Sequence, residues 1–180
     1  NNIQPVAPRD PKITYEIYYL PPDHTRSDGD IYGKGAVVLH TLRHLIGDDA
    51  FFKALRRMAY PTKDMESMTD GRQVRFATTD DFLYIAEQES GMDLDWFFEV
   101  YLRQPEVPEL VVERSGTDLT LTWKTRGGLP FPMPVDLLIG GETVRAKMSS
   151  GSETLKVRTG DSVEIDPEGW VFRKSMTRGS

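Results

Sequence analysis

Apolar residues recur at three- and four-residue spacing through the first part of the chain and alternate with polar ones after about residue 110. The first pattern is that of helices with one buried face; the second is that of strands. A helix is predicted after Asp30, a good N-cap residue, with Gly35, Val38, Leu39, Leu42, Leu45 and Ile46 as its apolar stripe. Gly47 stops it. Asp48 caps a second helix that buries Phe51, Phe52, Leu55 and Met58 and ends at Tyr60-Pro61, so the two form a hairpin. A long loop follows, from Thr62 to about Ala77, with Val74-Arg75-Phe76 as a brief extended piece. It reads either as a functional loop or as a mobile surface connection. Thr78 and Asp81 match a capping box that opens a helix carrying Phe82, Ile85 and Ala86, closed by Gly91. Asp93 then caps a helical face of Leu94, Phe97, Phe98 and Tyr101. These aromatics read as plain core.

Two regions frame this pattern differently. Residues 1–29 are broken by Pro5, Pro8, Pro11, Pro21 and Pro22, and within them Ile13–Leu20 is β-rich, a strand or an extended arm. Pro105 and Pro108 end the helical region, because proline lacks a donor and restrains its predecessor. Beyond them seven strands are predicted: Leu110–Arg114, Leu119–Lys124, Val135–Ile139, Thr143–Met148, Thr154–Arg158, Val163–Ile165 and Trp170–Arg173. Ser115-Gly116-Thr117-Asp118 and Gly140-Gly141 are the hairpin links. Trp123 and Trp170 are expected in the sandwich core. The expected fold is α+β in two domains, a mostly helical segment over 1–106 with an irregular N-terminal arm and an all-β sandwich over 107–180.

Composition narrows the functions. The chain has 180 residues and a net charge of −6, so it lacks the basic face of a general nucleic-acid binder. Its length is enough to hide about 70% of the unfolded surface without covalent staples. With no cysteine, disulfides and thiolate chemistry are excluded, and the compartment stays open. No apolar run is long enough to span a bilayer. The start at Asn1 without a charged-then-apolar leader fits a segment from which any signal peptide is gone.

Few residues offer chemistry. Tyr32, just after the predicted cap, reads either as a ring packed at a helix start or as a phenol that donates a hydrogen bond to an oxyanion. Lys34 holds a carboxylate, is solvated, or serves structure. His40 and His44 have the i, i+4 spacing of two zinc ligands. Between them lie Thr41-Leu42-Arg43, without the glutamate a general base requires, and both histidines fall off the apolar stripe. No metal ligand is assigned to them. Asp93 and Asp95 lack the rest of a calcium loop.

The order of motifs adds a resemblance. Tyr32-Gly33-Lys34-Gly35 with its leucine-rich continuation is followed by Gly47-Asp48 and Phe51-Phe52. Thr78-Thr79-Asp80-Asp81-Phe82, then Ser90-Gly91-Met92-Asp93-Leu94 and Trp96-Phe97-Phe98, continue the series, and Gln104 and Pro108-Glu109-Leu110 close it. Over roughly residues 30–110 this order resembles the zinc aminopeptidases of the gluzincin family, the group of aminopeptidase N and leukotriene hydrolase. The resemblance implies the helical end of a thermolysin-like catalytic domain leading into a β-domain. It implies a parent enzyme that uses zinc to remove N-terminal residues from peptides, with Tyr32 steadying the oxyanion. Gly33 stands where that family often has Glu or Gln. The zinc ligands and the Gly-x-Met-Glu-Asn motif have no counterpart here. The expectation is therefore a chain inactive alone, whose partners are a peptide substrate and the N-terminal and zinc-binding portions of its parent. An exported bacterial enzyme is the expected setting. A non-catalytic peptide- or protein-binding module, or a family member that has lost catalysis, are the alternatives.

Overall fold

Val38 and Leu42, one helical turn apart, form the buried face of α1 (Gly35–Ile46). The computed structural model of the chain describes residues 33–174. Gly47, at φ 83°, turns the chain between α1 and α2 (Asp48–Ala59), a conformation that costs a glycine little. In α2 the buried positions are Phe51 and Ala54. Phe52, expected inside, is 52% exposed and carries the Arg43 guanidinium over its ring. Neighbouring helical positions differ by about 100° in direction, so only one of two consecutive phenylalanines faces the core.

The loop after α2 contains a 3-10 turn, Lys63–Ser67. Glu66 binds both Arg56 and Arg57 of α2, which pins that turn to the helix. The expected extended piece at Val74–Phe76 forms no strand, and Val74 and Phe76 are exposed. Thr78 and Asp81 make the expected capping box at the start of α3 (Thr79–Ser90), and Gly91 closes it in the left-handed conformation. The cap of α4 (Asp95–Phe98) differs from expectation: Leu94 is the N-cap residue, and Asp93 Oδ1 instead accepts the Asp95 amide at 3.1 Å. α4 widens into a π-helical turn, Glu99–Arg103.

Helices then give way to antiparallel strands. One sheet has the order β1 (Glu109–Ser115), β2 (Asp118–Lys124), β5 (Ser152–Lys156). The other has the order β4 (Glu142–Ala146), β3 (Val135–Ile139), β6 (Val163–Ile165). Leu119, Leu121 and Trp123 of β2 point into the core, while Thr120 and Thr122 pair with Thr154 and Ser152 on the other face. Gly140 and Gly141, both at positive φ, make the two-residue link of β3 and β4. The predicted seventh strand, Trp170–Arg173, is not a strand. It is a buried-to-half-buried tail laid against α1.

One buried cluster runs from Val38 and Leu42 through Phe97, Phe98 and Tyr101 to Leu121, Leu137 and Val171. Tyr101, fully buried, donates its hydroxyl proton to the Phe172 carbonyl at 2.6 Å and stacks on the Phe172 ring. Burial holds this phenol well above the usual tyrosine range, so it is a structural donor.

Candidate functional site

The sequence candidate Tyr32 lies outside the described residues. The structure does describe the turn that follows it. Gly33 and Lys34 form a π-type turn that runs straight into α1. Lys34 is 5% exposed, and its Nζ donates to the Gln104 carbonyl at 2.8 Å, across 70 positions of sequence. Gln104 ends the π-helical turn that follows α4, so the ammonium sits where helix carbonyls lack partners and the helix dipole is negative. Lys34 is thus a buried cation that donates to main chain.

Thr41, about two turns further along α1, is fully buried. Its hydroxyl donates to the Trp170 carbonyl at 2.9 Å and accepts the Phe172 amide at 3.0 Å. Asp166 supports this contact from below. Its two oxygens accept the Trp170 and Val171 amides at 2.8 and 3.0 Å, with its own backbone at φ 53°. α1 is thus fixed at its N-terminus by Lys34 and at its middle by Thr41.

His40 and His44 do not lie free on the surface. Their rings stack on the Trp170 indole with centroids 4.5 and 5.1 Å away. Trp170, partly buried and packed against the core cluster, therefore also serves as a platform for α1. His44 Nε2 is buried and stands 3.3 Å from Asp136 Oδ2 without hydrogen-bond geometry. Burial first, then the nearby Arg145, holds the His44 imidazole below its ordinary pKa, and Asp136 opposes the shift.

An open apolar groove of about 580 Å³ runs between α1, α2, α3 and α4, lined by Ala36, Leu39, Leu55, Met58, Phe82 and Phe98 among others. It begins at Gly35 and Ala36, the first turn of α1. Its rim exposes Leu39 and Leu55, and Val37 and Phe52 on the same helices are also exposed.

Zinc is the metal implied by the sequence resemblance, and the described residues do not fit it. Glu87, Asp93 and Asp95 bring three carboxylates within 4.8 Å of one another, but this is an all-oxygen set on an open surface. Glu87 and Asp93 already accept the Leu94 and Asp95 amides. Structural and catalytic zinc favours nitrogen and sulfur ligands. The two histidines are committed to Trp170, with Arg145 close to His44.

Sequence reasoning missed Thr41 and Asp166. Nothing local marks Thr41, whose partners are far along the chain. Asp166 carried a weak signal, since Asp166-Pro167 is a turn dipeptide.

The chain is 33% identical over 94 residues to Aminopeptidase N of Lactococcus lactis subsp. lactis, a match that covers 52% of this chain and 10% of that protein. Its fold is similar to the crystal structure of Legionella pneumophila aminopeptidase A in complex with aspartic acid. The TM-score is 0.54 at 19% identity, over 77% of this chain and 17% of the other. The chain thus matches about a tenth of the length of its curated relative. No protein-family model matches it. These likenesses support a fragment of an aminopeptidase, in keeping with the gluzincin resemblance read from the sequence.

Proposed function

We propose that the chain is part of a zinc-dependent aminopeptidase that hydrolyses N-terminal residues from peptides. In this reading the end of the catalytic domain reaches about residue 106, and a β-sandwich domain follows from 107. The observation that carries the reading is the 33% identity over 94 residues to Aminopeptidase N. The groove supports it, because an apolar rim on α1 and α2 is what a segment packed against further polypeptide presents when seen alone.

Within that reading Tyr32 has one task. Its phenol, protonated at neutral pH, donates a hydrogen bond to the oxyanion that forms as the peptide carbonyl becomes tetrahedral. The bond strengthens as charge develops, so it lowers the barrier more than it tightens substrate binding. The metal and the groups that bind it belong to other parts of the parent, and the 180-residue chain is inactive alone. A non-catalytic binding module would keep the groove and have no need of Tyr32.

The full-length parent, loaded with zinc, is assayed on leucine p-nitroanilide and on its N-acetylated form. The reading expects cleavage of the free amine only, abolished by a chelator, and no turnover by the 180-residue chain. A parent that cleaves neither compound, or turnover by the short chain, overturns it.

A further inference from the structure

Asp70-Gly71 lies between the 3-10 turn Lys63–Ser67 and α3, in a stretch that belongs to neither helix nor sheet. Its geometry brings a carboxyl and a main-chain amide together. Asp70 Oδ1 accepts the Arg72 amide at 3.2 Å, and Oδ2 accepts from Arg72 Nε at 2.6 Å. The first bond closes a ring of atoms that contains both the Asp70 carboxyl carbon and the Gly71 nitrogen, so the side chain is folded forward onto its own main chain. Gly71 stands at φ 84°, and a Cβ placed on it would meet nothing within 4 Å. Its carbonyl accepts the Val74 amide at 3.0 Å, but its own amide donates no hydrogen bond among the described residues. The Asp70 and Arg72 side chains are 52% and 75% exposed, so water reaches the carboxyl.

We propose that Asp70 is a modification site, at which the chain isomerises spontaneously to isoaspartate. The Gly71 amide nitrogen, giving up its proton, attacks the carbon of the protonated Asp70 carboxyl. The new N–C bond closes a succinimide ring, and the carboxyl hydroxyl leaves as water. Water then opens the ring. Attack at the side-chain carbonyl restores aspartate, and attack at the main-chain carbonyl gives isoaspartate. Nothing is oxidised or reduced, and the water lost is returned. The fold allows the reaction because Gly71 carries no side chain to hinder the attack, its amide is not held, and its backbone is free to turn. Asp64, six residues earlier, is the contrast. Its successor Met65 has a side chain and an amide engaged with the Thr62 carbonyl at 3.2 Å, inside the turn that Glu66 pins to α2. The isoaspartyl link adds a methylene to the main chain and turns the carboxylate away from its place, so both bonds to Arg72 are lost. The proposal stands apart from the aminopeptidase reading.

The test keeps the folded full-length protein in heavy-oxygen water at mildly acidic pH and then digests it with trypsin in ordinary water. The tryptic peptide Asp64–Arg72 carries both Asp70 and its internal reference, Asp64. Mass spectrometry reads heavy oxygen at each aspartate, and a second chromatographic peak of the same sequence reads isoaspartate. Label is expected at Asp70 and not at Asp64. Its rate in the folded protein is expected to lie within about tenfold of that in the free synthetic peptide, because opening an exposed loop costs close to nothing. Asp70→Glu, whose longer side chain closes a larger ring with difficulty, is expected to lose both the label and the second peak. A folded protein labelled at Asp70 more than about tenfold slower than the free peptide overturns the proposal, since the fold then protects the site. Equal label at Asp64 and Asp70, or label that persists at this position in Asp70→Glu, overturns it as well.

Discussion

The hydroxyl of Thr41 accepts the backbone amide of Phe172 at 3.0 Å, joining residues 131 positions apart. The same hydroxyl donates to the Trp170 carbonyl at 2.9 Å. A helix of the first half and a tail of the second are thereby locked by one buried side chain. The lock uses main-chain groups that would otherwise be left without partners.

Thr41→Val removes both bonds and keeps the shape. It leaves a half-buried amide and a half-buried carbonyl unpaired, at a cost of about 1–3 kcal/mol. Thr41→Ser, which keeps the hydroxyl, is expected to lose much less. Urea unfolding of the three proteins checks this, and equal midpoints for wild type and Thr41→Val would show that the lock contributes nothing.

His44 makes stability depend on pH. Its folded-state pKa lies below the ordinary value of 6.5, so the unfolded chain binds the proton more readily. The contribution of this group is complete above about pH 6.5 and declines as the pH falls through and below that value. The groups that face it are His40 on its own helix, Asp136 on β3, Arg145 on β4 and Asp166 beyond β6. Unfolding midpoints measured between pH 7.5 and 5.5 are expected to fall, and His44→Phe should flatten that slope. A slope identical in the variant would assign the effect elsewhere.

Glu66 pins the loop after α2. Its guanidinium partner Arg56 first, and Arg57 with it, lower its pKa from 4.5 to about 2. A depressed carboxylate pKa stabilises the folded state above the unfolded value, and the contribution is lost as the pH falls from about 4.5 toward 2. At neutral pH, Glu66→Gln is expected to speed hydrogen exchange at Lys63–Ser67 and leave α3 amides unchanged. Unchanged exchange in the turn would show that the fork does not hold it.

What the sequence made legible was local. The capping box of Thr78 and Asp81 and the Gly140-Gly141 link depend on neighbours a few residues apart, and both stand as read. The strands Val135–Ile139 and Val163–Ile165 are bounded by turns that the alternation itself reveals. What stayed hidden depends on distant partners. Lys34 looks like a solvated lysine until Gln104 is brought to it. Trp170 looks like strand core until α1 lays two histidines on it. Apolar spacing placed Phe51 and Phe52 together, and only the packing of α2 against α1 and α3 decides which one is inside. The acidic trio of Glu87, Asp93 and Asp95 is sequence-local too, yet two of its carboxylates, those of Glu87 and Asp93, accept backbone amides.

The central claim is that the phenol of Tyr32 serves the transition state of peptide-bond hydrolysis in a longer enzyme. Steady-state kinetics of Tyr32→Phe in the zinc-loaded parent measure it directly. Loss of one such oxyanion donor predicts a fall in kcat of about a hundredfold to a thousandfold with KM little changed. A folded Tyr32→Phe enzyme that turns over at the wild-type rate would contradict the claim.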